Sequence, residues 1–163
     1  MNRLCIIPCG AKKIWDTAAA PSGPCPANQA YISPLHRKCQ AYADRYFDHW
    51  AILSAKHGFL LPDDKLYENY NVAFGSGHPE IISSHELKHQ VSEKRLDRFE
   101  EVVVLGGKKF TGIVPGVFSG ETRIYFPLVG SRGIGDMLQK LNRALECNEP
   151  FDGVVGTKQG GLE

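Results

Sequence analysis

Four short runs of residues restrict what this 163-residue chain can fold into: Arg3–Pro8, Trp50–Leu53, Val102–Leu105 and Arg123–Phe126. They are apolar nearly throughout rather than at alternate positions. A strand with one wet face alternates, whereas a strand covered on both faces reads as a continuous apolar stretch. Each run stops abruptly. Pro8 cannot donate to a ladder, Ser54 follows Leu53, Gly106-Gly107 follow Leu105, and Pro127 follows Phe126.

Between the runs lie helical patterns. Ser33-Pro34 is an N-cap followed by an N1 proline. Leu35, Cys39, Tyr42, Ala43 and Tyr46 then form one stripe. Pro79 to Phe99 predicts a charged helix with Ile82, Leu87, Val91 and Leu96 inward. Lys108 to Gly120 predicts a short helix broken by Pro115, and Gly133 to Leu145 a last helix carrying Ile134, Met137, Leu138, Leu141 and Leu145. Ile14 to Ile32 contains Pro21, Gly23, Pro24 and Pro26, which excludes a regular helix through its middle. So long a loop is a pocket lid or a surface excursion. Phe59 to His78 reads as irregular. Strands alternating with helices predict an α/β fold, three-layered and Rossmann-like, with a four-stranded, mainly parallel sheet and helices on both faces. The expected domain is single and spans 1–147, with 148–163 a tail whose final Leu162-Glu163 reads as a cloning remnant.

The net charge of +1 excludes the broad basic footprint of many nucleic-acid binders. Lys12, Lys13, Arg37, Lys38, Lys108 and Lys109 remain available for a local basic patch. Five cysteines at irregular spacing, with no leader pattern, predict free thiols in a reducing cytoplasm. No run approaches membrane-spanning length. Neither the P-loop nor the dinucleotide GxGxxG pattern occurs, so no cofactor is assigned, and nothing specifies an oligomeric state.

Parallel strands place all their carboxyl ends on one rim, where α/β proteins bind ligands. Here the rim gathers Cys9-Gly10, Ser54-Ala-Lys56-His57-Gly58 and Gly106-Gly107-Lys108. The catalytic candidates are Cys9, Lys13, Lys56 and His57. A lysine becomes a nucleophile when desolvation or neighbouring cations lower its pKa, and Lys12, Lys13 and Lys56 are expected to repel one another. The same lysines are expected to favour a thiolate at Cys9. His57 suits proton transfer near neutral pH. The substrate-binding candidates are Gly10, Lys12, Tyr31, Ser33, Ser54, Tyr70, Gly106 and Gly107. The glycines allow close backbone approach, and Tyr67 or Tyr70 offers a ring for stacking on a base. Glycines after strands are also ordinary turn residues, and lone lysines and cysteines are commonly solvated or buried without function.

His85-Glu86-Leu-Lys-His89 matches the HExxH zinc pattern, with Glu86 as base. Lys88 between the imidazoles, and Ser83-Ser84 before them, fit a solvated helical face better. His36-x-x-Cys39 with Cys9 and Cys25 makes a weaker structural-zinc set.

Pro8-Cys9-Gly-Ala-Lys12-Lys13, Ala30-Tyr-Ile-Ser-Pro-Leu35, Ile52-Leu-Ser-Ala-Lys-His-Gly58, Pro62-Asp63, Tyr70-Asn71, Pro127-Leu128 and Gly133-Ile-Gly135 form an ordered series. The series resembles an uncharacterised α/β domain of bacteria, archaea and phages. That family runs Cys-x3-Lys, Tyr-x-Ser-x-Leu/Phe, Ile-Leu-Ser-Ala-Lys-Tyr/His-Gly-Leu, Pro-Asp, Pro-Tyr-Asp and Pro-Leu. Here Asn69-Tyr70-Asn71 stands at the Pro-Tyr-Asp position and Phe59 replaces the leucine. More remotely, Pro8-Cys9-x3-Lys13 with Ser33 and His36 is similar to the lysine motif of archaeosine synthase, which modifies a 7-deazaguanine base in tRNA. That resemblance implies Lys13 as a nucleophile or amine carrier in nucleobase chemistry. The expected function is an enzyme acting on a nucleotide or nucleic-acid base through a Lys/Cys/His pocket. The alternatives are a non-catalytic module binding a nucleotide or nucleic acid, and a zinc hydrolase.

Overall fold

In the computed structural model, which describes residues 2–18 and 20–151, the chain runs through seven strands and four α-helices. These are β1 (Arg3–Pro8), β2 (Cys25–Pro26), α1 (Ala27–Ala30), α2 (Pro34–Tyr46), β3 (His49–Ser54), β4 (Gly58–Leu60), β5 (Lys65–Leu66), α3 (Ser84–Glu93), β6 (Glu101–Val104), β7 (Arg123–Tyr125) and α4 (Ile134–Glu146). Single 3-10 turns occupy Ile14–Asp16, Leu96–Arg98 and Lys108–Gly112.

The main sheet has five strands in the order β4-β3-β1-β6-β7, not the expected four. β1, β3, β6 and β7 are parallel. The additional strand, β4, returns antiparallel along β3 with Ile52 opposite Leu60. Gly58 makes this return possible. Its φ is +75°, and a Cβ there would stand 2.1 Å from Gln90 Oε1 and 2.6 Å from Ile82 Cδ1. Residues 59–78, read as irregular, also hold β5, which pairs antiparallel with β2.

Successive residues of β1 serve opposite faces, as the strand period requires. Cys5 and Ile7 pack with Cys39, Tyr42 and Ala43 of α2 and with Leu141 and Ala144 of α4. Leu4 and Ile6 pack with Leu87 and Val91 of α3 and with Phe110, Val114 and Phe118. Cover on both faces is the reason the runs of β1, β3 and β6 carry no polar alternation, whereas β7 at the sheet edge is only partly covered. α3 begins later than expected, because Ser83 caps it and Glu86 completes a capping box. It ends before Arg95, whose φ of 60° is left-handed. Among the described residues of the Ile14–Ile32 loop only α1 and one 3-10 turn are helical. Beyond α4, Phe151 stacks on Tyr42 with ring centroids 4.8 Å apart, and its N–H donates to the Tyr42 hydroxyl at 3.0 Å. Residues 152–163, including Leu162-Glu163, lie outside the described residues. Among the described residues no helix is long and apolar enough to cross a membrane.

The topology fixes where a crevice opens. From β1 the chain passes through α2 to β3 on one side, then through α3 to β6 on the other side. The loops leaving the carboxyl ends of β1 and β6 therefore diverge. Such a reversal is where open α/β sheets place a ligand crevice.

Candidate active site at the carboxyl ends of β1 and β6

A cavity of about 470 Å³ lies at this reversal. Its walls are the loop after β1 (Cys9 to Ala11 and Lys13), the loop after β6 (Gly106 to Phe110), the segment Asn71 to Phe74, and Ile134 and Met137 of α4. The size suits a small organic ligand.

Lys13 is held to one position by its backbone. Its N–H donates to Asp16 Oδ2 at 2.9 Å, it forms an isolated bridge with Tyr31, and the Ile32 N–H donates to the Lys12 carbonyl at 3.1 Å. The side chain is only 2% exposed. Nζ donates to the Ala11 carbonyl at 2.9 Å and sits 4.2 Å from the Tyr70 ring centroid and 5.8 Å from that of Tyr31. Among the described residues no carboxylate forms an ion pair with this ammonium. Burial lowers the Lys13 pKa, and Cys9 and Asp16 offset only part of that. Desolvation is the main cause, in place of the expected repulsion among lysines.

Tyr70 stands between Lys13 and His57. The His57 ring meets Tyr70 edge-on at 4.9 Å. Ser54 Oγ accepts the N–H groups of Lys56 at 3.2 Å and His57 at 3.1 Å. The Ser54 and Tyr70 hydroxyls share a hydrogen bond at 2.7 Å. Tyr31 is fully buried and its hydroxyl bonds that of Tyr70. Ser54 also bonds the Tyr31 hydroxyl and Cys9 that of Tyr70, so three hydroxyls and a thiol form one buried network. Burial and Cys9 push the Tyr70 pKa up, so the hydroxyl stays protonated. Lys13, Tyr31 and His57 surround its ring, which is 9% exposed and so presents little face for stacking on a base. Tyr67, the other stacking candidate, is 73% exposed.

Burial, then Lys56, lowers the His57 pKa, leaving a neutral imidazole at pH 7. Lys56 pairs with Glu80 at 3.6 Å. Lys56 and His57 meet Lys13 around Tyr70, but neither lines the cavity. Cys9 does line it. Burial raises its pKa, outweighing the Ala55 amide, Lys13 and Lys109. The expected thiolate is thus corrected to a thiol.

Other candidates play local parts. Gly10 has φ +80°, and a Cβ there would lie 2.5 Å from Ser33 Oγ. Ser33 caps α2 by accepting the His36 N–H at 3.4 Å. A Cβ at Gly106 would lie 2.4 Å from the Phe110 ring. All three glycines, Gly10, Gly106 and Gly107, line the cavity, and the first two also meet packed side chains closely. Lys12 lines a separate shallow hollow with Asp16 and Asn69. The sequence reading gave His36 no role at the pocket beyond the motif. Fully buried, it donates from Nδ1 to the Pro8 carbonyl at 2.8 Å, and its Nε2 lies 3.1 Å from the Gln40 side-chain amide. It ties the end of β1 to α2. Asn71 stands in the Tyr70-Asn71 motif, but Val72, Ala73 and Phe74 of the same wall carry no reactive group that a sequence pattern would single out.

His85 and His89 are exposed on α3, and the Glu86 carboxylate accepts from Ser83 in the helix cap. Among the described residues no three His, Cys, Asp or Glu side chains are grouped to hold a metal ion.

The pattern defining DUF6884, a family of unknown function, matches residues 4–143. The chain belongs to this family. Within DUF6884's span fall β1, the Lys13 loop, Tyr70, both cavity loops and most of α4. The chain is also 53% identical over 146 residues to "Uncharacterized protein YfjM" of Bacillus subtilis (strain 168), covering 90% of this chain and 97% of that protein. No solved structure matches it.

Proposed function

We propose that this chain is an enzyme acting on a nucleotide or nucleobase, with Lys13 as its nucleophile. The observation that carries the reading is a nearly inaccessible lysine at the switch-point cavity, with no carboxylate ion-paired to it among the described residues. Lysines desolvated in this way are activated as amines. In the proposed step the neutral Lys13 amine attacks an electrophilic carbon of the base, forming an N–C bond. The displaced π electrons move to a ring heteroatom, which takes the surplus proton of the attacking nitrogen, so the adduct forms with no net gain or loss of protons. Tyr70, with His57 edge-on to its ring, holds Lys13 in place from behind. The crossover pattern supports reading the fold as Rossmann-like, and free cysteines fit a cytoplasmic protein.

The test is turnover of a panel of nucleobases, nucleosides and nucleotides by the wild type, Lys13→Arg and Lys13→Ala. Arginine keeps the charge but cannot act as an amine nucleophile. Loss of turnover with retained binding in Lys13→Arg supports the reading. Turnover surviving in Lys13→Arg excludes Lys13 as nucleophile, and binding without turnover in every form indicates a binding module.

A further inference from the structure

We infer that the substrate is an anion, specifically a free nucleoside monophosphate whose phosphate rests on the loop after β6. The inference rests on the nucleotide reading above and deepens it. The cavity walls include Lys13, Lys108 and Lys109, and no Asp or Glu lines them. In a chain of net charge +1, with nearly equal numbers of acidic and basic residues, such sorting marks an anion site. The remaining walls are mainly apolar, with Leu35, Leu53 and Phe74 among them. An apolar body with one charged end fits this lining.

The three lysines are not equivalent. Lys13 is committed to the Ala11 carbonyl and the Tyr70 ring. Lys108 and Lys109 are exposed side chains at the cavity and make no ion pair among the described residues. The Gly107 N–H beside them donates to no protein acceptor among the described residues. Two exposed ammonium groups, that of Lys109 5.5 Å from the Phe110 ring centroid, and a backbone amide are donors that phosphate oxygens accept from. The base then lies toward Cys9 and Lys13. A cavity of about 470 Å³ has room for one nucleotide and not for a strand.

The test compares a nucleoside, its 5′-monophosphate and a 5′-phosphorylated trinucleotide by calorimetry, using the base that the panel selects. The wild type is expected to bind the monophosphate about tenfold or more tightly than the nucleoside. In Lys108→Ala/Lys109→Ala that preference should vanish while nucleoside binding persists. Equal binding of nucleoside and monophosphate, or a preference that survives the double variant, overturns the proposal. Tighter binding of the trinucleotide than of the mononucleotide overturns the assignment to a free nucleotide. A second probe pair keeps the charge argument separate from the nucleobase reading: anionic 8-anilinonaphthalene-1-sulfonate and its uncharged parent N-phenyl-1-naphthylamine. If no nucleoside or nucleotide binds, the nucleobase reading and the nucleotide assignment both fail. The anion site still stands if the sulfonate binds more tightly than its parent and loses that advantage in the double variant. Equal binding of the two dyes overturns it.

Discussion

Two buried cations flank β1, and they are treated differently. At the amino end, Arg3 is 7% exposed and lies beside Glu101, its register partner on β6. Its Nη2 donates to the Tyr46 carbonyl at 3.1 Å, and its guanidinium covers the Phe47 ring at 4.4 Å. Glu101 is fully buried, and its Oε2 also accepts from Arg123 at 2.9 Å. At the carboxyl end, Lys13 is buried as deeply, but a carbonyl and two aromatic rings replace the carboxylate. At the amino end Glu101 stands beside the cation and offsets part of the burial that lowers the Arg3 pKa, while Arg3 Nη1 and Glu101 Oε1 bond no group among the described residues. At the carboxyl end Cys9 and Asp16 offset part of the burial that lowers the Lys13 pKa, and no carboxylate ion-pairs with it among the described residues, which favours a neutral amine. A buried cation becomes chemically useful where the fold gives it no ion-paired carboxylate.

The largest expected effect breaks the amino end. Glu101→Ala removes the carboxylate facing Arg3 and should cost about 3 to 5 kcal/mol in denaturant unfolding. Lys13→Met should do the reverse, leaving stability unchanged or higher by up to about 2 kcal/mol while turnover is lost. Equal losses from both substitutions would erase the distinction between the two ends. Gly58→Ala comes next. Its positive φ and the clash with Gln90 should cost about 2 kcal/mol, with hydrogen exchange rising first along β4. Ser54→Ala removes the hydroxyl that bonds Tyr70 and accepts the Lys56 and His57 N–H groups, and should cost about 1 kcal/mol in denaturant unfolding.

The smallest effect is a pH dependence. His36 and His57 both have folded pKa values below the ordinary 6.5. The unfolded chain therefore binds more protons, and stability present above pH 6.5 is lost as pH falls toward the folded values. His57→Gln should remove only part of that loss, measured as midpoint shifts between neutral and mildly acidic buffer. An unchanged slope would place His57 in solvent, away from Tyr70.

Much of the sheet was legible because β1, β3 and β6 are buried on both faces and show it as unbroken apolar sequence. β4 was not, since three residues are too few to display a period. The start of α3 was written in Ser83-x-x-Glu86, a capping box that the apolar stripe from Ile82 obscured. The residue types at the rim were readable, but their states were not. Proximity to lysines suggested a Cys9 thiolate, and burial reversed it. Tyr70 looked like a stacking ring until its neighbours were placed, because the exposure of a ring face depends on contacts between distant segments.

The central claim is that burial outweighs Cys9 and Asp16 at Lys13, an amine with no ion-paired carboxylate among the described residues. NMR titration of ε-13C-labelled lysine, with the Lys13 signal assigned through Lys13→Met, measures this directly. The account predicts a midpoint below the ordinary lysine value of 10.5, and a midpoint at or above 10.5 would contradict it.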